Sequence, residues 1–183
     1  GGLIIFPPFS SHRSDFLYEN RFEALMSVNG YISKRHEDYV VLTDCDNVNV
    51  IDYQKVLEQH EKSDADITIV YRNQVVTEDL ADHMTIEVNE DGRVNKATLR
   101  AKVGEEASVA VNVWVINRRL LEGLLVDAAA TGAKSFHRDV LFANVKSLKI
   151  YGYNYEGVYL HMNSMENYYK GNMLLLNDQV RNE

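Results

Sequence analysis

Apolar positions along the chain fall into two periods. From Phe16 to about Ser33, the residues Phe16, Leu17, Phe22, Leu25 and Met26 recur at helical spacing, so this stretch predicts a helix that Ser14 or Asp15 can cap. Ahead of it, Leu3 to Phe6 reads as a short strand stopped by Pro7 and Pro8. Tyr39 to Thr43 is a continuous apolar run of the kind found in strands buried on both faces. Asp52 is a good N-cap for a helix through about His60, and Asp66 to Tyr71 reads as the next buried strand. Strand, helix and strand at this spacing make a βαβ unit and imply a parallel sheet.

The middle of the chain changes period. "MTIEVNEDGRVNKATL" alternates apolar and polar residues around Asp91-Gly92, a strong hairpin signal. Ser108 to Ile116 is a long β run, and Arg118 to Ala130 is helical with Gly132 just past its end. A second helix is expected from Ser135 to Val145. A strand-like stretch follows in "KIYGYNYEGVYLHM", with Gly157 at a bend, and Ser164 caps a last helix to about Leu176. The sum is one continuous mixed α/β domain, mainly parallel, with an inserted β-hairpin.

Composition narrows the classes. The 183 residues suffice for one domain with a sizeable core. A formal net charge of −8 argues against a general nucleic-acid or anionic-membrane binder. No apolar run approaches the roughly 20 residues of a membrane helix. The single cysteine, Cys45, permits no intrachain disulfide and fits a reducing cytoplasm. The opening "GGLIIFPPF" has no basic n-region, so it does not read as a signal peptide.

Chemistry gathers where "VVLT" runs into Asp44-Cys45-Asp46. Ligands of open α/β sheets bind at the carboxyl ends of strands. Carboxylates placed there suit Mg²⁺, which takes one or two of them together with substrate phosphates. The plain alternative is that both aspartates are turn formers. The remaining histidines show no ligand spacing with one another or with Cys45, and Cys45 reads as a small residue filling a strand end.

"YVVLTDCDNVNVIDYQKVLEQHEKSDADITIVY" resembles the stretch of sugar-nucleotide pyrophosphorylases in which a strand ends in "GD" and is followed by "DY", a helix and a second strand. "FLYENRF", "VNVWVINRRLLEGLL", "SFHRDVL" and "YEGVYLHMNSMENYYKGNMLLL" resemble further segments in the same order. The family is that of glucose-1-phosphate adenylyltransferase, and within it the GlgD-type subunit of glycogen synthesis. The resemblance implies a Rossmann-like nucleotidyltransferase domain with a mainly parallel mixed sheet flanked by helices. It implies a reaction of ATP with glucose 1-phosphate that gives ADP-glucose and pyrophosphate, with Mg²⁺ as cofactor, in the cytoplasm.

The same resemblance places the family's functional positions unevenly. Asp46 takes the first metal aspartate and His161 falls where the second should be. Neutral imidazole is a poor Mg²⁺ ligand. On the nucleotide side stand Asp15, in the altered loop His12-Arg13-Ser14-Asp15, and Asp44; on the sugar side stand Asn112 and Trp114. The family's glycine-rich phosphate loop, its "Glu-Lys-Pro" sugar segment and its C-terminal β-helix have no counterpart in the chain. The expectation is a regulatory, catalytically weak subunit that pairs with a catalytic paralogue or with itself. An active divergent nucleotidyltransferase and a non-catalytic scaffolding module are the alternatives.

Overall fold

The computed structural model describes residues 2–6, 18 and 20–181. They fall into two compact units, residues 1–39 with 117–144 and residues 40–116 with 145–183.

The first unit is helical. Helix α1 (Arg21–Ser27) starts at Asn20, whose side chain accepts from the Glu23 amide, and stops at Val28; α2 (Asn29–Ile32) follows at once. The long helix predicted from residue 16 is therefore capped later and broken, and the caps expected at Ser14 and Asp15 lie outside the described residues. Residues 2–6 form no strand, and Leu3 is 89% exposed. A strand exists only through its ladder, and no pairing forms here among the described residues. Helix α4 (Arg118–Thr131) ends on Gly132, whose φ of 69° gives the left-handed cap that glycine adopts without strain. After it, Ser135 caps a π-helix (Phe136–Phe142) by accepting from the Arg138 amide. Leu121, Leu125, Ala128, Val140 and Leu141 are buried, and the rings of Phe22 and Phe136 lie 6.0 Å apart.

The second unit is built on a mixed sheet. Its strands are β1 (Tyr39–Thr43), β3 (Ile67–Val75), β4 (Thr85–Val88), β5 (Val94–Thr98), β6 (Glu106–Asn117) and β7 (Ile150–Asn154), in the order β5-β4-β6-β3-β7 with β1 also on β6. A small second sheet pairs β2 (Asn47–Asn49) with β8 (Tyr159–His161). Strands β3 and β7 run parallel, whereas β3–β6, β4–β5, β4–β6 and β2–β8 are antiparallel. The mainly parallel sheet expected from the sequence is thus corrected to a mixed one with more antiparallel pairs. The reason lies in the inserted hairpin: the chain leaves β3, turns through β4 and β5, and returns along β6 in the opposite sense.

The other elements fit their sequence signals. Asp52 caps α3 (Tyr53–Lys62) by accepting from the Gln54 amide, and α3 packs against β3 and β7. Gly92, at φ 85°, turns the β4–β5 hairpin. The β-like run after residue 149 divides into β7 and β8, with Gly157 in the bend between them. Ser164 caps α5 (Met165–Leu175) through the Asn167 amide, and α6 (Asp178–Arg181) follows. Strand β1 is half-buried, with Val41 38% exposed, so its expected burial on both faces does not hold. The core lies in β3 and β6, where Ile67, Val70, Val109, Val113, Val115 and Ile116 have no exposed surface. No helix among the described residues is long and apolar enough to cross a membrane.

Candidate functional site

The turn after β1 carries Asp44, Cys45 and Asp46, and β2 begins directly behind it. Cys45 is exposed in this turn and does not fill a strand end. The β2–β8 register sets Asn47 opposite His161, and the Met162 amide donates to the Asp46 carbonyl at 2.7 Å. Residues more than a hundred positions apart in the chain are thereby locked side by side. The outcome is that His161 Nε2 stands 3.5 Å from Asp46 Oδ2, with the imidazole 11% exposed and the carboxylate 36%. The other carboxylate oxygen, Oδ1, is buried and has no hydrogen-bond partner.

The His161 ring lies between two acceptors: Nδ1 is 3.4 Å from the Asp79 carbonyl, and Nε2 is 3.5 Å from the Asp46 carboxylate. Asn163 Nδ2 donates to the same carbonyl at 3.2 Å and helps fix it. His161 also meets the His83 ring edge to face, with centroids 4.6 Å apart. The Tyr159 hydroxyl donates to Asn47 Oδ1 at 3.0 Å, so it accepts from His83 Nε2, also at 3.0 Å. Asn47 Nδ2 in turn donates to the Val111 carbonyl at 3.3 Å.

That last contact explains a distortion of the main sheet. Val70 pairs with Val113 but Tyr71 pairs with Ala110, so Val111 and Asn112 bulge out of the β3–β6 ladder. Asn112 sits at φ 55°, a left-handed conformation that asparagine tolerates better than most residues other than glycine. The resemblance aligns a family glycine with this position, and the backbone there has the conformation a glycine would adopt freely. The Val111 carbonyl released by the bulge is satisfied by Asn47.

Electrostatics follow from burial. His83 is 4% exposed, and its pKa is pushed down to about 4 by burial first and by the neighbouring His161 second; Asp79, Asp46 and Asp44 pull the other way. Burial, with Asp46, Asp44 and Asp79, raises the Tyr159 phenol above its ordinary range. His83 is thus a neutral donor at pH 7, and Tyr159 an intact hydroxyl.

The structure brings Asp46 and His161 together and keeps Asp44 near them. Asn112 lies in the bulge beside Val111, whose carbonyl Asn47 holds. Trp114, 4% exposed on β6 opposite Ile69, is part of the sheet core. Asp15 lies outside the described residues. Sequence reasoning missed Asn47, Asp79, His83 and Tyr159. Asn47 and Tyr159 stand in segments that resemble the family, but nothing in the sequence marks their contacts; the β2–β8 register and the turn at Glu78–Leu80 carry the four to one place.

As a Mg²⁺ clamp the pair is poorly suited. Mg²⁺ demands hard oxygen donors, and here one of the two arms is an imidazole. Among the described residues no three His, Cys, Asp or Glu side chains converge to hold a metal ion. The donor set does not fit an ion gripped by two aspartates.

No family model matches the chain. Curated relatives do. It is 23% identical over 181 residues to a glucose-1-phosphate adenylyltransferase of Halalkalibacterium halodurans, covering 97% of this chain and 47% of that protein. A protein of the same name from Clostridium acetobutylicum matches with the same identity and coverage. One from Thermomicrobium roseum is 23% identical over 183 residues, 99% of this chain and 42% of that protein. The chain therefore spans about half the length of the curated relatives it matches. Over nearly all of its own residues, then, it is similar to the glucose-1-phosphate adenylyltransferases, the family its motifs resemble.

Proposed function

We propose that this chain serves as a subunit of glucose-1-phosphate adenylyltransferase in glycogen synthesis, and that its role is regulatory, beside a catalytic paralogue. The reaction joins ATP and glucose 1-phosphate: an oxygen of the sugar phosphate bonds to the α-phosphorus, and pyrophosphate leaves with the electrons of the broken P–O bond. Such chemistry depends on positioning the phosphates and neutralising their charge. The observation that carries the regulatory reading is the imidazole of His161 facing Asp46 at 3.5 Å, where the resemblance calls for a second carboxylate. A clamp of that composition holds Mg²⁺ weakly. The loss of one such charged arm is worth about 3–4 kcal/mol in the transition state, or roughly 10²–10³ in rate.

The reading is supported by similarity along 97% of the chain to proteins named for this activity. Its test is reconstitution. The full chain, mixed with a catalytic glucose-1-phosphate adenylyltransferase from the same organism, is expected to co-sediment with it and to shift its half-saturation for ATP or glucose 1-phosphate. Failure to assemble, together with no calorimetric heat from ATP, ADP-glucose or glucose 1-phosphate, would leave a scaffolding module instead.

A further inference from the structure

The register of the small sheet continues past both of its ends. Asn47, Val48 and Asn49 pair with His161, Leu160 and Tyr159. In an antiparallel ladder every second pair exchanges amide–carbonyl bonds. The Met162 amide on the Asp46 carbonyl marks one such pair, so the bonding falls next on Val48 with Leu160 and then on Val50 with Val158. At that last pair a side chain steps in. The Val50 amide donates to the Tyr155 hydroxyl at 3.1 Å, and the same hydroxyl donates to the Val158 carbonyl at 2.8 Å. A phenol accepts and donates at once, so Tyr155 stands in for a rung of the ladder.

The backbone of Tyr155 belongs to the main sheet. Its amide donates to the Tyr71 carbonyl of β3 at 2.8 Å, directly after β7, and the residue is 8% exposed. The side chain is therefore a strut from the main sheet to both strands of the small one. Gly157 leaves room for it: a methyl group there would lie 2.5 Å from the hydroxyl oxygen and would push it out of the gap. A two-stranded ladder of this length is marginal by itself. Its site end is held by the Met162 bond and by Asn47 on the Val111 carbonyl. Its other end is held by Tyr155.

We infer that Tyr155 is a positioning residue of the candidate site. Its hydroxyl fastens the far end of the β2–β8 ladder to the main sheet, and the ladder in turn keeps Asp46 and His161 side by side. Tyr155 acts on that pair through the ladder and not by contact. The inference rests on the reading of Asp46 and His161 as the candidate site, and not on the regulatory role of the chain.

Amide exchange followed by NMR on the full chain tests it, with Tyr155→Phe as the variant. Loss of the hydroxyl is expected to speed exchange about tenfold at Val50 and, because so short a ladder opens as one unit, at Leu160 and Met162 as well, while Ile69 and Val113 in the main-sheet core stay within about twofold. The Hε1 resonance of His161 is expected to shift, since its ring stands edge to face with that of His83 at 4.6 Å and senses small displacements, whereas the Hε1 resonance of buried His60 stays in place. Gly157→Ala, which displaces the hydroxyl without removing it, should give the same pattern. Unchanged exchange at Val50 would overturn the inference, since water then takes the place of the hydroxyl. So would faster exchange at Val50 alone, with Leu160, Met162 and the His161 resonance unmoved, since Tyr155 then only closes the bend. Uniformly faster exchange that includes Ile69 and Val113 overturns it too, because the effect is then on the whole fold. None of these readouts needs turnover or a partner subunit, so a failed reconstitution would remove the regulatory reading and leave this result standing.

Discussion

At the scale of single residues, His83 makes the plainest prediction. It is buried and neutral, with its pKa held near 4 by burial and by His161 against the pull of Asp79, Asp46 and Asp44. In the unfolded chain the same imidazole titrates near 6.5. Below about pH 6.5 the unfolded state takes up a proton that the folded state refuses, so stability falls as pH drops toward 4 and is unaffected by this group above 6.5. The loss is on the order of 2–3 kcal/mol. Urea unfolding of the native chain and of His83→Gln between pH 4 and pH 7.5 checks it: the variant should show a flatter pH dependence. Asn112 makes a second prediction. Asn112→Gly should fold as well as the native chain, whereas Asn112→Val should cost about 1–3 kcal/mol, because a β-branched residue cannot relax at φ 55°; the shift in thermal midpoint measures this. Asp46 and His161 could be found in the sequence because they stand in segments that resemble family motifs. The roles of Asn47, Asp79, His83 and Tyr159 could not be read there, because they come from pairing between distant strands, even though Asn47 and Tyr159 stand in the same two segments.

At the scale of elements, local signals held where the physics is local. Asp52, Ser135 and Ser164 cap helices as their sequence contexts predict, and Asp91-Gly92 turns a hairpin. Ser164→Ala should lower stability by about 1 kcal/mol and fray the start of α5, visible as faster amide exchange at Asn167. Signals that depend on neighbours failed. Leu3 to Phe6 has strand composition but no ladder, and strand direction in the main sheet is set by the route of the β4–β5 insertion, which no strand sequence records. Gly152 is a packing feature of the same kind. A methyl group there would lie 2.7 Å from the Tyr71 ring and 3.1 Å from Val88, so Gly152→Ala should cost about 1–3 kcal/mol and loosen β7 from β3, as chemical denaturation would report.

At the scale of the whole molecule, the account turns on one altered pair. The chain is similar along its length to proteins about twice as long, and where its resemblance calls for two metal carboxylates it presents one carboxylate and one imidazole. On the proposed reading, that composition weakens the charge neutralisation that nucleotidyl transfer needs. The direct measurement is pyrophosphate release from ATP and glucose 1-phosphate by the full chain alone, with Mg²⁺ as the divalent ion, set beside the same assay of a catalytic paralogue. The account predicts a rate for this chain at least about a hundredfold lower. Equal turnover by the two proteins would contradict it.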